Sequence, residues 1–255
     1  MLIDSHAHLD MKAFDKDRDQ VLTRALEAGL SHIITIGIDL SSSRIALKLA
    51  NQYDFVYSTI GFHPHVADQM ESRALKEMEG LATEPKVLAW GEIGLDFYRR
   101  RSPPNFQLEA FERQLKLADQ YDLPVIIHDR DAHEETLKIL KKMGKGDRKG
   151  VIHCFSGDYE LAMTFIELGY YISIPGTVTY RSAFQVQDAA ARIPLEYLLL
   201  ETDAPFLTPV QAKTRRNEPC FVIHTARKVA QLRDMDPGVI AEKTTANVKE
   251  VFRLP

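Results

Sequence analysis

Two histidines one residue apart, His6-Ala7-His8, stand near the start of the chain. On an extended backbone, residues i and i+2 point to the same side, so both imidazoles can offer a neutral nitrogen to one divalent cation. Four more residues of ligating type follow apolar runs. Glu92 follows Val87-Leu88-Ala89-Trp90, His128 follows Val125-Ile126-Ile127, His153 follows Val151-Ile152, and Asp203 follows a run ending at Leu200. Gly91 and Gly94 flank Glu92 and leave room for close approach of backbone or ligand.

A carboxylate has two oxygens, so Glu92 can bridge two cations. The expected sets are His6, His8, Asp203 and Glu92 around one ion, and Glu92, His128 and His153 around the other. Both sets leave room for water, which marks a catalytic site rather than a structural one. Mixed nitrogen and oxygen donors suit zinc, manganese, cobalt or nickel, and magnesium less well. Two such cations lower the pKa of a water between them toward roughly 7, and the resulting hydroxide attacks a phosphorus or carbonyl centre. Asp203 is expected to take a proton from that water as well as to ligate. Glu201 lies on the same side of its strand and is expected to support the ligands from behind.

Any one of these residues alone reads as an ordinary hydrogen-bonded loop residue. Their common position changes the reading. Eight apolar runs, at 2–4, 32–38, 55–60, 87–93, 124–128, 151–153, 170–174 and 197–201, alternate with segments of helical period. Val21, Leu22, Ala25 and Leu26 form one stripe, ended by Gly29. Leu108, Phe111, Leu115 and Ala118 form a second, and Leu161, Phe165 and Ile166 a third, ended by Gly169. A closing helix is expected over 244–252. Such alternation predicts a parallel sheet with helices outside. Eight units within 255 residues match the size of a TIM barrel, read as a single α/β domain spanning 1–255. An open doubly wound sheet is disfavoured because no Gly-x-Gly-x-x-Gly or phosphate-binding loop motif follows the first strand. Barrel active sites lie at the carboxyl ends of the strands. Six of the nine histidines (His6, His8, His63, His65, His128 and His153) fall there, with Glu92 and Asp203.

At this point the chain resembles the TatD family of metal-dependent hydrolases, within the amidohydrolase-like superfamily. The motifs that carry the resemblance run nearly end to end: Asp4-Ser5-His6-Ala7-His8-Leu9-Asp10, Gly61-Phe62-His63-Pro64, Gly91-Glu92-Ile93-Gly94-Leu95-Asp96, His128-Asp129-Arg130-Asp131-Ala132, His153-Cys154-Phe155-Ser156-Gly157 and Glu201-Thr202-Asp203-Ala204-Pro205. The resemblance implies a distorted (β/α)8 barrel and a dinuclear centre on His6, His8, Glu92, His128, His153 and Asp203. It also implies metal-dependent nuclease action on DNA, typically from the ends, with His63 near the substrate phosphate as a catalytic and binding residue. Some relatives act as deacylases of D-aminoacyl-tRNA. One departure stands out: the family's Arg-Gly-Lys before Asn-x-Pro reads here as Lys213-Thr214-Arg215-Arg216-Asn217-Glu218-Pro219.

The charge balance, 32 Lys and Arg against 36 Asp and Glu, excludes binding of nucleic acid through bulk positive charge. A nucleic-acid substrate therefore needs a local basic patch or metal ions. Arg99-Arg100-Arg101, Arg130 and the pair Arg215-Arg216 are the candidates, since guanidinium forks suit phosphate oxygens. Phe97 and Tyr98 are candidates for packing the rim or stacking an unpaired base. The ranking is a phosphodiesterase trimming single-stranded DNA or RNA ends, then an aminoacyl-tRNA or small-molecule ester or amide hydrolase, then a dead binding barrel. Two cysteines, no membrane-span-length apolar run and no signal-like start lead to the expectation of a reduced, cytoplasmic monomer without membrane association.

Overall fold

A computed structural model describes residues 1–144 and 150–254. Eight parallel strands form one sheet in sequential order: β1 (Leu2–Ala7), β2 (Leu30–Thr35), β3 (Val56–Ile60), β4 (Val87–Asp96), β5 (Val125–Arg130), β6 (Gly150–Ile152), β7 (Tyr170–Ile174) and β8 (Leu198–Leu200). The helices between and after them are α1 (Arg18–Glu27), α2 (Leu40–Gln52), α3 (Ser72–Leu81), α4 (Pro104–Gln120), α5 (His133–Met143), α6 (Tyr159–Glu167), α7 (Phe184–Arg192), α8 (Val222–Arg233) and α9 (Pro237–Phe252). The architecture is the expected distorted (β/α)8 barrel. Among the described residues, no helix is long and apolar enough to cross a membrane.

Period-2 alternation explains how the barrel presents its chemistry. One apolar cluster contains Ile3, Ile34, Ala89, Ile126, Val151, Tyr171 and Leu199, closed at one end by Val248, Val251 and Phe252 of α9. The alternate strand residues Leu2, Ile33, Val56, Val125, Ile127, Ile152 and Leu198 join a second cluster with the surrounding helices. Two residues beyond Ile126, Val151 and Leu199 on the same side stand His128, His153 and Glu201. These three strands therefore fill the barrel with an apolar side chain and then offer a polar one at the carboxyl end.

The seam between β1 and β8, a strand of only three residues, is closed by side-chain as well as backbone hydrogen bonds. The Asp4 carboxylate accepts from the Thr202 N–H at 2.9 Å and from the Thr202 hydroxyl at 2.6 Å. The Ser5 hydroxyl donates to the Leu200 carbonyl at 3.0 Å. The Asp203 N–H donates to the His6 carbonyl at 2.9 Å, and the His8 N–H to the Ala204 carbonyl at 2.7 Å. Burial pushes the Asp4 carboxyl up to about 8.

Two expectations are adjusted. The closing helix begins at Pro237, seven residues earlier than expected, capped by the Asp236 carboxylate on the Gly238 N–H. Leu26 of the first stripe is exposed, so α1 buries only Val21, Leu22 and Ala25.

Candidate metal centre

Register irregularities fall where ligand-type residues sit. The pairing of β1 with β2 shifts between Asp4 and Ala7, around His6, and that of β4 with β5 shifts between Trp90 and Ile93, around Glu92. Such irregularities bend the strand locally and re-aim a side chain. His6, His8, His63, Glu92, His153 and Glu201 are all buried, while His128 and Asp203 keep some contact with solvent.

Glu92 is the hub. Its Oε2 lies 3.6 Å from His6 Nε2 and 3.9 Å from His8 Nε2. Asp203 Oδ1 lies 3.7 and 3.3 Å from the same two nitrogens. Ligands arranged tetrahedrally at about 2.1 Å from one ion stand about 3.4 Å apart. Four of the six separations among these atoms, 3.3–3.9 Å, lie near that spacing, and His6 Nε2 is buried without a hydrogen-bond partner. The donor set therefore fits a divalent cation. Glu92 Oε1 turns the other way, to His128 Nδ1 at 2.8 Å, His153 Nε2 at 2.9 Å and His63 Nε2 at 3.3 Å. His6 and His153 stack at 3.8 Å between the two groups.

Electrostatics in the cluster are dominated by four carboxylates, those of Glu92, Asp96, Glu201 and Asp203. Burial pulls His153 down, but Glu92 and Glu201 outweigh it and hold His153 well above its usual value. His8, beside Asp203, and His128, beside Asp96 and Glu92, are likewise raised against the pull of burial. Burial pushes Glu92 up, yet His153, His63 and His128 bring it well below its usual value. A buried excess of anions calls for positive charge, and protons on these imidazoles compete with cations for the same atoms.

His63 differs from the others. Burial lowers it to about 4, so it is neutral at neutral pH. Its Nδ1 accepts from the His65 N–H at 3.0 Å, which leaves the proton on Nε2. That nitrogen is a hydrogen-bond donor facing the cluster. Glu201 Oε1 reaches His153 Nδ1 at 3.2 Å and accepts from the Cys154 N–H at 2.7 Å, holding that ring from behind.

Several contributors escaped the sequence reading. Asp96 ends β4 fully buried, receiving His65 Nε2 at 2.7 Å and the Arg99 N–H at 2.7 Å. The apolar run that marks the fourth strand in the sequence ends at Ile93, three residues short of Asp96. Gln107 and Gln114, buried on α4, bind the backbone of Asp96 and Phe62 respectively, which fixes the segments bearing Asp96 and His63. Their i, i+7 spacing beside the apolar stripe was the available signal. Asn217, also buried, donates to the Thr202 carbonyl at 2.8 Å and the Phe206 carbonyl at 2.6 Å, clamping the loop that presents Asp203.

Arg215 is exposed, and Arg130 lies with its guanidinium 4.2 Å over the Tyr98 ring. Arg216 does not stand free for phosphate as expected. It forms a fork on Asp17 at 2.7 and 2.6 Å and also binds Glu218 at 2.8 Å, while Arg24 holds Glu218 from the other side. The Arg216 bonds hold Asp17 below its ordinary range, and against burial the Arg24 and Arg216 bonds do the same for Glu218. Carboxylates depressed in the folded state contribute stability that is present above their unfolded pKa values and lost as pH falls through the folded ones. Arg216→Met should therefore lower stability by about 1–2 kcal/mol at pH 7, with partial exposure limiting the effect. Urea midpoints of the two proteins should converge as the pH falls below about 4. A gap that stays constant down to pH 3 would contradict this role.

A family model described as TatD related DNase matches residues 3–253. The chain belongs to the TatD family. A Bacillus subtilis protein called an uncharacterized metal-dependent hydrolase, YabD, is 39% identical over 254 residues, covering 100% of both chains. The 3'-5' ssDNA/RNA exonuclease TatD of Citrobacter koseri is 41% identical over 256 residues, covering 98% of each. The crystal structure of YJJV, a TatD homolog from Escherichia coli K12, superposes with a TM-score of 0.94 at 34% identity, covering 100% of this chain and 98% of that one. This TatD-family chain is thus a hydrolase that depends on divalent metal, with His, Glu and Asp groups of ligating type gathered at the carboxyl end of its barrel.

Proposed function

We propose that the chain trims the ends of single-stranded DNA or RNA by hydrolysing phosphodiesters, using two divalent cations that share Glu92. The observation that carries this reading is the divided aim of Glu92, with Oε2 toward His6 and His8 and Oε1 toward His128 and His153. Relatives named 3'-5' ssDNA/RNA exonuclease support the choice of substrate. His6, His8 and Asp203 would hold one cation and His128 and His153 the other, with Glu92 shared between the two groups. When bound, such cations polarise a phosphodiester and make water acidic enough to ionise near neutral pH. The imidazole-rich donor set suits zinc, manganese, cobalt or nickel better than magnesium.

The protein groups then divide the remaining work. Asp203 is the ligand carboxylate with solvent contact, its side chain 14% exposed against 3% for Glu92, so it is the one placed to receive a proton from water. His63 donates its Nε2 proton to a phosphate oxygen, and its neutrality down to about pH 4 keeps that role constant. Glu201 holds His153 in orientation. Arg130 and Arg215 engage the phosphates flanking the scissile one, while Arg216 anchors the loop bearing Arg215 to Asp17, at the start of α1. On this reading the protein acts in the cytoplasm, as a monomer of one domain over 1–255.

The test is a 5'-labelled single-stranded oligonucleotide incubated with protein stripped of metal and reloaded with Mn²⁺, Co²⁺, Zn²⁺ or Mg²⁺. The expected result is a ladder of stepwise shortening that requires added cation, with circular single strands left whole. Intact oligonucleotide alongside cleavage of a D-aminoacyl-tRNA ester would overturn the phosphodiester reading and favour ester hydrolysis.

A further inference from the structure

The hydrophobic effect buries aromatic rings unless something else uses them. Of the one tryptophan, nine tyrosines and twelve phenylalanines, four are exposed among the described residues: Tyr98, Phe106, Phe184 and Phe206. Tyr98 and Phe106 follow β4, Phe184 opens α7 after β7, and Phe206 follows β8. All four therefore stand on segments leaving the carboxyl ends of strands, the face that holds Glu92 and Asp203. Exposed rings gathered on one face mark a binding surface.

Phe206 is the one built into the site. It is three residues beyond Asp203, and its ring stands 6.2 Å from the His8 ring, tilted by 68°. Half of its surface is open. Its backbone is pinned on both sides. The Phe206 N–H donates to the Asp203 carbonyl at 2.9 Å, and its own carbonyl accepts from the buried Asn217 amide at 2.6 Å. Leu207 after it adopts a left-handed φ of 53°. A phenyl ring on so fixed a backbone is a preorganised flat platform beside the hydrolytic centre. Tyr98, with the Arg130 guanidinium 4.2 Å over its ring, is a second exposed ring further out on the same face.

We infer that Phe206 is the platform on which the terminal base of the substrate strand stacks, and that this contact selects unpaired ends over paired ones. The inference rests on the nuclease reading above. A paired terminal base already has both faces and its hydrogen-bonding edge engaged, and must be freed before it can lie on the ring. An unpaired base stacks without that cost, whatever its identity, because every base has a π face. The arginines on the same face complement the phosphates that follow.

The experiment pairs Phe206→Leu and Phe206→Trp with two single-stranded oligonucleotides, one with an ordinary 3' nucleotide and one with an abasic 3' end. On the ordinary strand Phe206→Leu should raise KM about tenfold with little change in kcat, and Phe206→Trp should restore it. On the abasic strand the leucine variant should match wild type. A 3' 2-aminopurine should be quenched on binding wild type. That readout needs no variant, so it tests the inference even if the leucine protein folds poorly. Equal loss on both strands, no loss on either, or absence of quenching overturns the inference. Failure of wild type to shorten any oligonucleotide overturns the nuclease reading with it. That outcome is separable, because in the others wild type still cleaves.

Discussion

Glu92→Ala is expected to reduce cation-dependent phosphodiester hydrolysis by roughly a thousandfold or more, the scale of losing the principal charge-stabilising element of a site. The size follows from position. Among the described residues, Glu92 is the one with an oxygen toward each donor set. Its loss removes a ligand from both, and leaves His128, His153 and His63 facing an emptied pocket. Glu92→Gln keeps the shape but not the charge, and should fall nearly as far, because an amide cannot bridge two cations with two anionic oxygens. The check is kcat/KM on a single-stranded oligonucleotide together with bound metal per chain by elemental analysis. An alanine variant that retains full metal content and activity within tenfold of wild type would contradict the assignment.

Gly94→Ala is expected to be the most damaging conservative change in the scaffold. Gly94 has φ of 134°, a region that L side chains rarely adopt, and an added Cβ would meet the His128 carbonyl oxygen at 2.0 Å. The obstacle is backbone in the adjacent strand, so no rotamer change relieves it. Strand β5 would have to move away from β4, carrying His128 from Glu92. Strain and lost pairing together should lower stability by about 3 kcal/mol or more, which for a chain of this size is a drop in Tm of roughly 6–12 °C. Metal affinity should fall in the same variant because the displaced strand carries a ligand. A Tm within about 2 °C of wild type would show that the two strands tolerate separation here.

The barrel and the position of its chemistry were legible because both rest on short-range pattern. Ile126 with His128, and Val151 with His153, place an apolar residue and a ligand two positions apart on one side of a strand, and the alternation can be read without a partner. What could not be read depends on pairs far apart in sequence. Arg216 looked like half of a phosphate clamp. Its partner Asp17 lies 199 positions away, and nothing local indicates that the guanidinium is already engaged. Asp96 was hidden because the apolar run that marks β4 ends at Ile93, whereas the strand itself continues through Gly94 to Asp96. His63 illustrates a middle case. Its place at a strand end was apparent, but the donor role of its Nε2 follows from the His65 N–H on its other nitrogen, a contact set by the turn after β3. The backbone clamp formed by Asn217 was likewise out of reach, since it is defined by carbonyls 15 and 11 residues earlier in the same β8–α8 connection, where no sequence period links them.

The central claim is that two cations, joined through Glu92, are needed for cleavage. It is tested most directly by titrating metal-free protein with Mn²⁺ while following both bound metal per chain and the rate of shortening of a single-stranded oligonucleotide. The expected curve shows two equivalents bound, with activity rising steeply only as the second is taken up, and neither feature surviving in Glu92→Ala. Full activity at one bound equivalent, with no second ion bound at higher concentration, would contradict it.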